Sequence, residues 1–232
     1  WGAQVRHEIA RDEELLSLMH RARCERVFVG FESVNPRTLE LYNKRETVED
    51  IIHAVQSFHR HKIKVHGMFV IGSDEDTVET IHATKRFAFE HDIDSIQFLI
   101  LTPLPGSRDY QQFASSERKL ITKQWEKFDG HHVVHRPARM TVYELQYETL
   151  QAMREFYSIR RIFKRLFRRD IFEVIYRWEG NWIVRNWFKR NREYLRQLRR
   201  QEALEVQPIS GTLSKSPREW SIAISTKDLS PQ

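Results

Sequence analysis

At 232 residues, 40% hydrophobic and 30% charged, the chain is long enough for one large domain or two small ones around a real core. It has no apolar run of the roughly 18 residues that a membrane-spanning helix needs, and its formal charge is +6. A single cysteine, Cys24, excludes disulfides and any cluster held by several thiolates of this chain.

No signal peptide is visible. The first residue is Trp1 rather than methionine and a strand-like segment begins at once, so the sequence is expected to be one piece of a longer chain. Residues 2–6 read as a short strand. Asp12 is placed to cap a helix whose apolar positions Leu15, Leu16, Leu18 and Met19 recur at helical spacing. Val27–Ser33 (VFVGFES) is a buried strand that ends in a glycine, an aromatic, a carboxylate and a hydroxyl. Strand ends of this kind face ligands in α/β sheets, although this stretch alone reads first as Glu32 and Ser33 capping the helix that Pro36 opens. Thr47 starts a further helix with Ile51, Ile52, Val55 and Phe58 on one face. The His53, His59 and His61 offsets on this helix do not converge on one ion, so they read as a solvated face.

Ile63–Gly72 is a third strand, and Ser73–Thr77 supplies N-caps for a helix through Ile81, Phe87 and Phe89. A fourth strand, Ser95–Leu101, runs into the rigid Thr102-Pro103-Leu104-Pro105-Gly106 turn. Strand–helix units in series predict a parallel α/β sheet whose strand ends line one rim.

These strand ends resemble the C-terminal half of the radical SAM superfamily core, in the branch that carries a cobalamin-binding domain ahead of the barrel. Val27–Ser33, Gly67–Thr77 (GMFVIGSDEDT) and Phe98–Ser107 (FLILTPLPGS) are similar to that family's fourth, fifth and sixth strands, and residues 2–6 to its third. Phe128–Thr141 (FDGHHVVHRPARMT) resembles a segment after the barrel in the cobalamin-linked branch. The resemblance implies a partial (β/α)6 TIM-type barrel binding S-adenosyl-L-methionine across its open top. Glu32 and Ser33 would then meet the ribose or methionine moiety, Gly67 and Gly72 would lie near the adenine, and Leu101 and Thr102 would flank it. Arg6 would pair with a carboxylate of cofactor or substrate, or else form an ordinary surface ion pair. The family's CxxxCxxC loop, which holds three irons of a [4Fe–4S] cluster, is not in this sequence. Cys24 also sits at the wrong end of its strand to serve. The chain is therefore expected to be inactive alone, and an open barrel fragment exposes a strand edge.

His131-His132-Val133-Val134-His135 alternates like a short strand. His131 and His135 would then lie about 13 Å apart, too far for a shared metal, and His131 and His132 are candidates for the substrate side by resemblance only. Thr141-x-x-Glu144 is a capping box opening a long helix through Phe156, Ile159, Phe163 and Leu166. Asp170 caps another, with a break expected at Gly180-Asn181. Arginines and aromatics crowd this segment. It reads, in order of preference, as a solvated helical cap, a peripheral membrane surface, or a nucleic-acid surface.

Three regions follow: barrel strands in 1–112, a post-barrel segment and basic helical extension in 113–204, and a polar, disordered tail in 205–232 that includes a brief strand or contact at Trp220–Ile224. The expected function is that of a radical SAM enzyme fragment acting on an unknown small-molecule or lipid-like substrate, with a missing N-terminal half and cobalamin as a further family cofactor. The alternative is a non-catalytic binding module. The expected location is cytoplasmic, with membrane association left open.

Overall fold

The computed structural model describes residues 1–115, 120–166 and 170–205. Strands β1 (Gly2–Val5), β2 (Arg26–Glu32), β3 (Lys64–Ile71) and β4 (Ser95–Ile100) form one sheet in chain order, and every neighbouring pair is parallel. Parallel strands in chain order need crossovers of one hand returning on one side. The sheet is therefore wound in one direction, as in an arc of a TIM-type barrel, and not doubly wound.

The crossovers carry α1 (Glu13–Arg21), α2 (Pro36–Leu41), α3 (Val48–Arg60) and α4 (Val78–Glu90). Each starts where a short polar side chain accepts a backbone N–H of the first turn: Asp12, Asn35, Thr47 and Thr77. The face beneath them is apolar. Val27, Val29, Phe31, Val65, Phe69, Ile71, Ile96, Phe98 and Ile100 are each at most 1% exposed. Phe31, Phe69 and Phe98 form a ring ladder across three strands, with centroids 5.8 and 5.6 Å apart. The register pairs Gln4 with Phe28, Phe28 with His66 and His66 with Ser95, which places these four on the opposite, inner face.

After β4 come α5 (Arg108–Ser115), α6 (Val142–Phe156), α7 (Ile159–Leu166), α8 (Ile171–Arg190) and α9 (Arg192–Glu205). Residue 112, the expected end of the barrel part, falls inside α5. Tyr157 ties α6 to the sheet: its hydroxyl accepts Ile96 N–H at 2.9 Å and donates to Ile96 C=O at 2.6 Å.

The first half of α8 closes the inner face at the N-terminal ends of the strands. Arg26 donates to Glu173 at 2.7 Å and to Ser95 Oγ at 2.5 Å, and Arg177 donates to Glu173 at 3.0 Å. Lys64 pairs with Asp170 at 2.8 Å, Arg177 also takes the Ile93 and Asp94 carbonyls, and Arg26 stacks on Tyr176 at 4.1 Å. Glu173 is fully buried between its two guanidinium partners. His66 hydrogen-bonds Ser95 Oγ at 2.9 Å in the same layer, and burial beside Arg26 lowers its pKa to about 4.

Three sequence expectations are corrected. The long helix from Thr141 is two helices, because α6 stops at Tyr157, whose carbonyl accepts Asn181 Nδ2 at 2.7 Å. Gly180-Asn181 does not break α8. A Cβ at Gly180 would sit 2.7 Å from the Tyr157 ring, so this glycine permits close helix packing. His131–His135 is not a strand, because Asp129 Oδ1 accepts both the His131 and His132 N–H groups and turns the chain; His135 keeps a single bridge to Leu120. The expected tail, with its Trp220–Ile224 contact, lies outside the described residues apart from Glu205, the last residue of α9.

Glu173→Ala leaves two buried guanidinium groups without their carboxylate and is expected to cost about 3–5 kcal/mol in urea unfolding; a loss below about 1 kcal/mol contradicts the arrangement. His66 protonates in the unfolded chain near 6.5 but in the folded chain only near 4, so its contribution to stability falls as the pH drops through that window. His66→Gln is expected to flatten that fall, worth about 3 kcal/mol at its limit, in urea midpoints measured against pH.

Candidate functional site

With α8 closing one end of the inner face, the C-terminal ends of the strands form its other end. β2 finishes there in a bulge between Gly30 and Glu32. Glu32 takes the left-handed conformation at φ 62°, a strained choice for a residue with a side chain. Its carboxylate folds back over the strand, where a Cβ on Gly30 would meet Glu32 Oε1 at 2.6 Å. Gly30 is the residue that permits this placement.

Lys44, from the loop after α2, holds Glu32 at 3.4 Å and donates to the Gly30 carbonyl at 3.1 Å. Next to it lies Glu46, with a fully buried side chain, 3.9 Å from Lys44 and paired with His7 from the loop after β1. Burial raises the Glu46 carboxyl to about 7, with Lys44 opposing and Glu32, Glu8 and Asp50 reinforcing. Burial also lowers the His7 imidazole, with Glu8 and Asp50 opposing it. These groups line a cleft of about 790 Å³ whose walls also include Gln4, Arg6, Arg11, Arg45 and Asp50.

The expected site residues divide. Glu32 is in the cleft. Arg6 is at its rim and pairs with Glu8 at 2.5 Å, with its own side chain 84% exposed, so it makes the surface ion pair. Ser33 is buried, and its hydroxyl accepts Asn35 N–H at 3.0 Å at the start of α2. Gly67 lies on the helix-facing side, where a Cβ would meet Phe69, Ile93 and Phe31 at 3.0–3.4 Å. At Gly72, φ 107°, the space a side chain would take is filled by Leu145 at 2.9 Å, while its carbonyl accepts His135 Nε2 at 3.2 Å. Close packing, and not an open approach for a ring, accounts for both glycines in this structure. The loop after Gly72 is rigid: buried Asp76 accepts Gly72 N–H, Ser73 N–H and the Thr38 hydroxyl at 2.9–3.0 Å.

Leu101 N–H continues the ladder to the Ile71 carbonyl at 2.8 Å, and Thr102 Oγ donates to the Ile100 carbonyl at 2.8 Å, both half-buried at the end of β4. His131 turns back on the Asp129 carbonyl at 2.9 Å. His132 is wedged between Asp129 and Asn191, at 3.0 and 3.1 Å, against Trp187 and Tyr194. It packs on the helical extension, and Asp129 and Asn191 raise its pKa against the opposing effect of burial. His59 pairs with Asp94 and His61 with Glu13, and no group of three metal-ligating side chains converges among the described residues.

Sequence reasoning missed His7, Lys44 and Glu46. They come from loops without periodicity; the one available signal was a Lys-Arg-Glu run directly after a helix that starts at a strand end.

Residues 5–88 match the family described as the Radical SAM superfamily. From the end of β1 into α4, the chain is therefore similar to that superfamily. It is 29% identical over 167 residues to the bacteriochlorophyllide d C-12(1)-methyltransferase of Chlorobaculum tepidum, covering 72% of this chain and 36% of that protein. It is 27% identical over 171 residues to the anaerobic magnesium-protoporphyrin IX monomethyl ester cyclase of Rubrivivax gelatinosus, covering 73% of this chain and 30% of that protein. The chain thus spans about a third of the length of these curated relatives. Among solved structures, the Elp3 protein of Methanocaldococcus infernus with an N-terminal deletion aligns at TM-score 0.48 and 18% identity, over 66% of this chain and 32% of that one.

Glu46 binds its proton near pH 7 when folded and near 4.5 when unfolded, so the folded state holds the extra proton between these values and this group's contribution to stability falls as pH rises through them. Glu46→Gln is expected to remove that fall, so that the variant's urea midpoint gains on that of the unaltered chain between about pH 5 and pH 8; a difference between the two that does not change with pH contradicts the raised carboxyl.

Proposed function

We propose that the cleft at the C-terminal edge of β1 and β2 is this chain's share of an S-adenosylmethionine site. The full protein is then a radical SAM enzyme that performs methyl transfer or ring closure on a large organic substrate. One observation carries the reading: Glu32 is bent into a left-handed conformation over Gly30 and met by Lys44, so acid and cation stand side by side at the ligand-facing end of the sheet. An aminoacyl sulfonium nucleoside offers the complement of that pair. Glu32 accepts from ribose hydroxyls or the ammonium group, and Lys44 donates to the carboxylate. Met68, Val70 and Leu99, half-buried on the inner face beside the cleft, give an apolar floor, with Leu101 and Thr102 at its far side. S-adenosylmethionine supplies an activated methyl sulfonium centre. The methyltransferase and cyclase names of the relatives support the two reaction classes.

The residues present do not fit an iron–sulfur cluster. Cys24 is buried at the opposite end of β2, its Sγ 3.8 Å from the Arg26 carbonyl, and burial raises its thiol. The three thiolates then belong to polypeptide outside these 232 residues, and the chain alone is inactive. Cobalamin, the further cofactor of the branch that Phe128–Thr141 resembles, falls in the same outside portion.

Isothermal titration of the chain with S-adenosylmethionine is expected to show binding that Glu32→Ala weakens about tenfold or more, the loss of a charge-assisted hydrogen bond. Anaerobic reconstitution with iron and sulfide is expected to give no cluster absorbance. Absence of nucleoside binding, binding indifferent to Glu32→Ala, or a cluster on this chain alone contradicts the proposal.

A further inference from the structure

One side of α8 is used up by the fold: Glu173, Arg177, Gly180 and Val184 face the sheet and α6. The opposite side is apolar. Ile171, Ile175, Trp178 and Trp182 follow at the i, i+4, i+7, i+11 spacing of a single stripe and are 64, 59, 58 and 62% exposed. Phe172 flanks the stripe, and the neighbouring α7 adds exposed Phe163. Exposed apolar patches of this kind mark interaction surfaces.

The fringe of the stripe selects the occupant. Exposed Arg185, Lys189 and Arg190 continue α8 beyond Trp182, and exposed Arg160 stands at the start of α7. Of the acids on α8, Glu173 is spent on Arg26 and Arg177, which leaves Glu179 as the exposed one. Arginine and lysine thus outnumber the acids along the border of the stripe, which favours an anionic surface over a second copy that carries the same positive charge. Two indoles beside aliphatic side chains, bordered by arginine and lysine, match instead the boundary between lipid headgroups and acyl chains. No described helix is long and apolar enough to cross a membrane, so contact would be in the plane of the surface.

We propose that α7 and α8 dock the protein on an anionic phospholipid bilayer, with Ile171, Ile175, Trp178 and Trp182 in the acyl boundary and the flanking arginines and lysine on the headgroups. This stands independently of the cofactor site.

The test is co-sedimentation of the chain with phosphatidylcholine vesicles with and without phosphatidylserine, at low and high salt, with tryptophan emission recorded alongside. Expected are binding that requires phosphatidylserine and weakens with salt, a blue shift, and at least about tenfold weaker binding by Trp178→Ser/Trp182→Ser, whose circular dichroism stays that of the unaltered chain because both side chains project outward. Failure to sediment with either vesicle overturns the proposal. So does sedimentation unaffected by the double substitution, or a salt-stable dimer that buries the two indoles and ignores lipid.

Discussion

The buried carboxylate of Glu173, held between Arg26 and Arg177, is the contact on which the rest of the arrangement depends. It joins a helix near the end of the chain to the second strand and to the base of the fourth. An isolated charge at that depth would be prohibitive, so α8 is bound to this position by electrostatics and not by shape alone. One end of the inner face is thereby filled by side chains, as the stability face of a barrel usually is.

What remains for a ligand is the other end, and local backbone choices there follow one another. A bulge ends the pairing of β2, a glycine clears space, and a glutamate adopts a conformation that its side chain disfavours. Lys44 then offsets the strain and the charge together. The His7–Glu46 pair behind it is drier, and the Glu46 carboxyl, raised to about 7 by burial, changes the charge of the cleft wall near neutrality.

Much of the fold was legible because its signals are local. Apolar runs ending in small or polar residues marked β2, β3 and β4, and Asp12, Thr47, Thr77 and Thr141 marked helix starts. The failures share a cause: tertiary contacts overruled a local signal. Gly180 reads as a breaker until Tyr157 lies across it, and the alternation of His131–His135 means nothing once Asp129 has captured two of its N–H groups. At the candidate site, the position of Glu32 at a strand end could be read from the sequence alone. Gly67 and Gly72 show why the rest was not legible: a glycine that admits a ligand and one that admits a phenylalanine or leucine look alike in sequence. Lys44, Glu46 and His7 meet only because two separate crossovers fold over the same strand end.

The most direct measurement is a crystal structure of the chain soaked with S-adenosylhomocysteine. The account predicts the nucleoside in the cleft, within hydrogen-bonding distance of Glu32 and Lys44, with the base toward Leu101 and Thr102. Ligand density at the α8 end of the inner face, or a cleft left to solvent at saturating ligand, would contradict it.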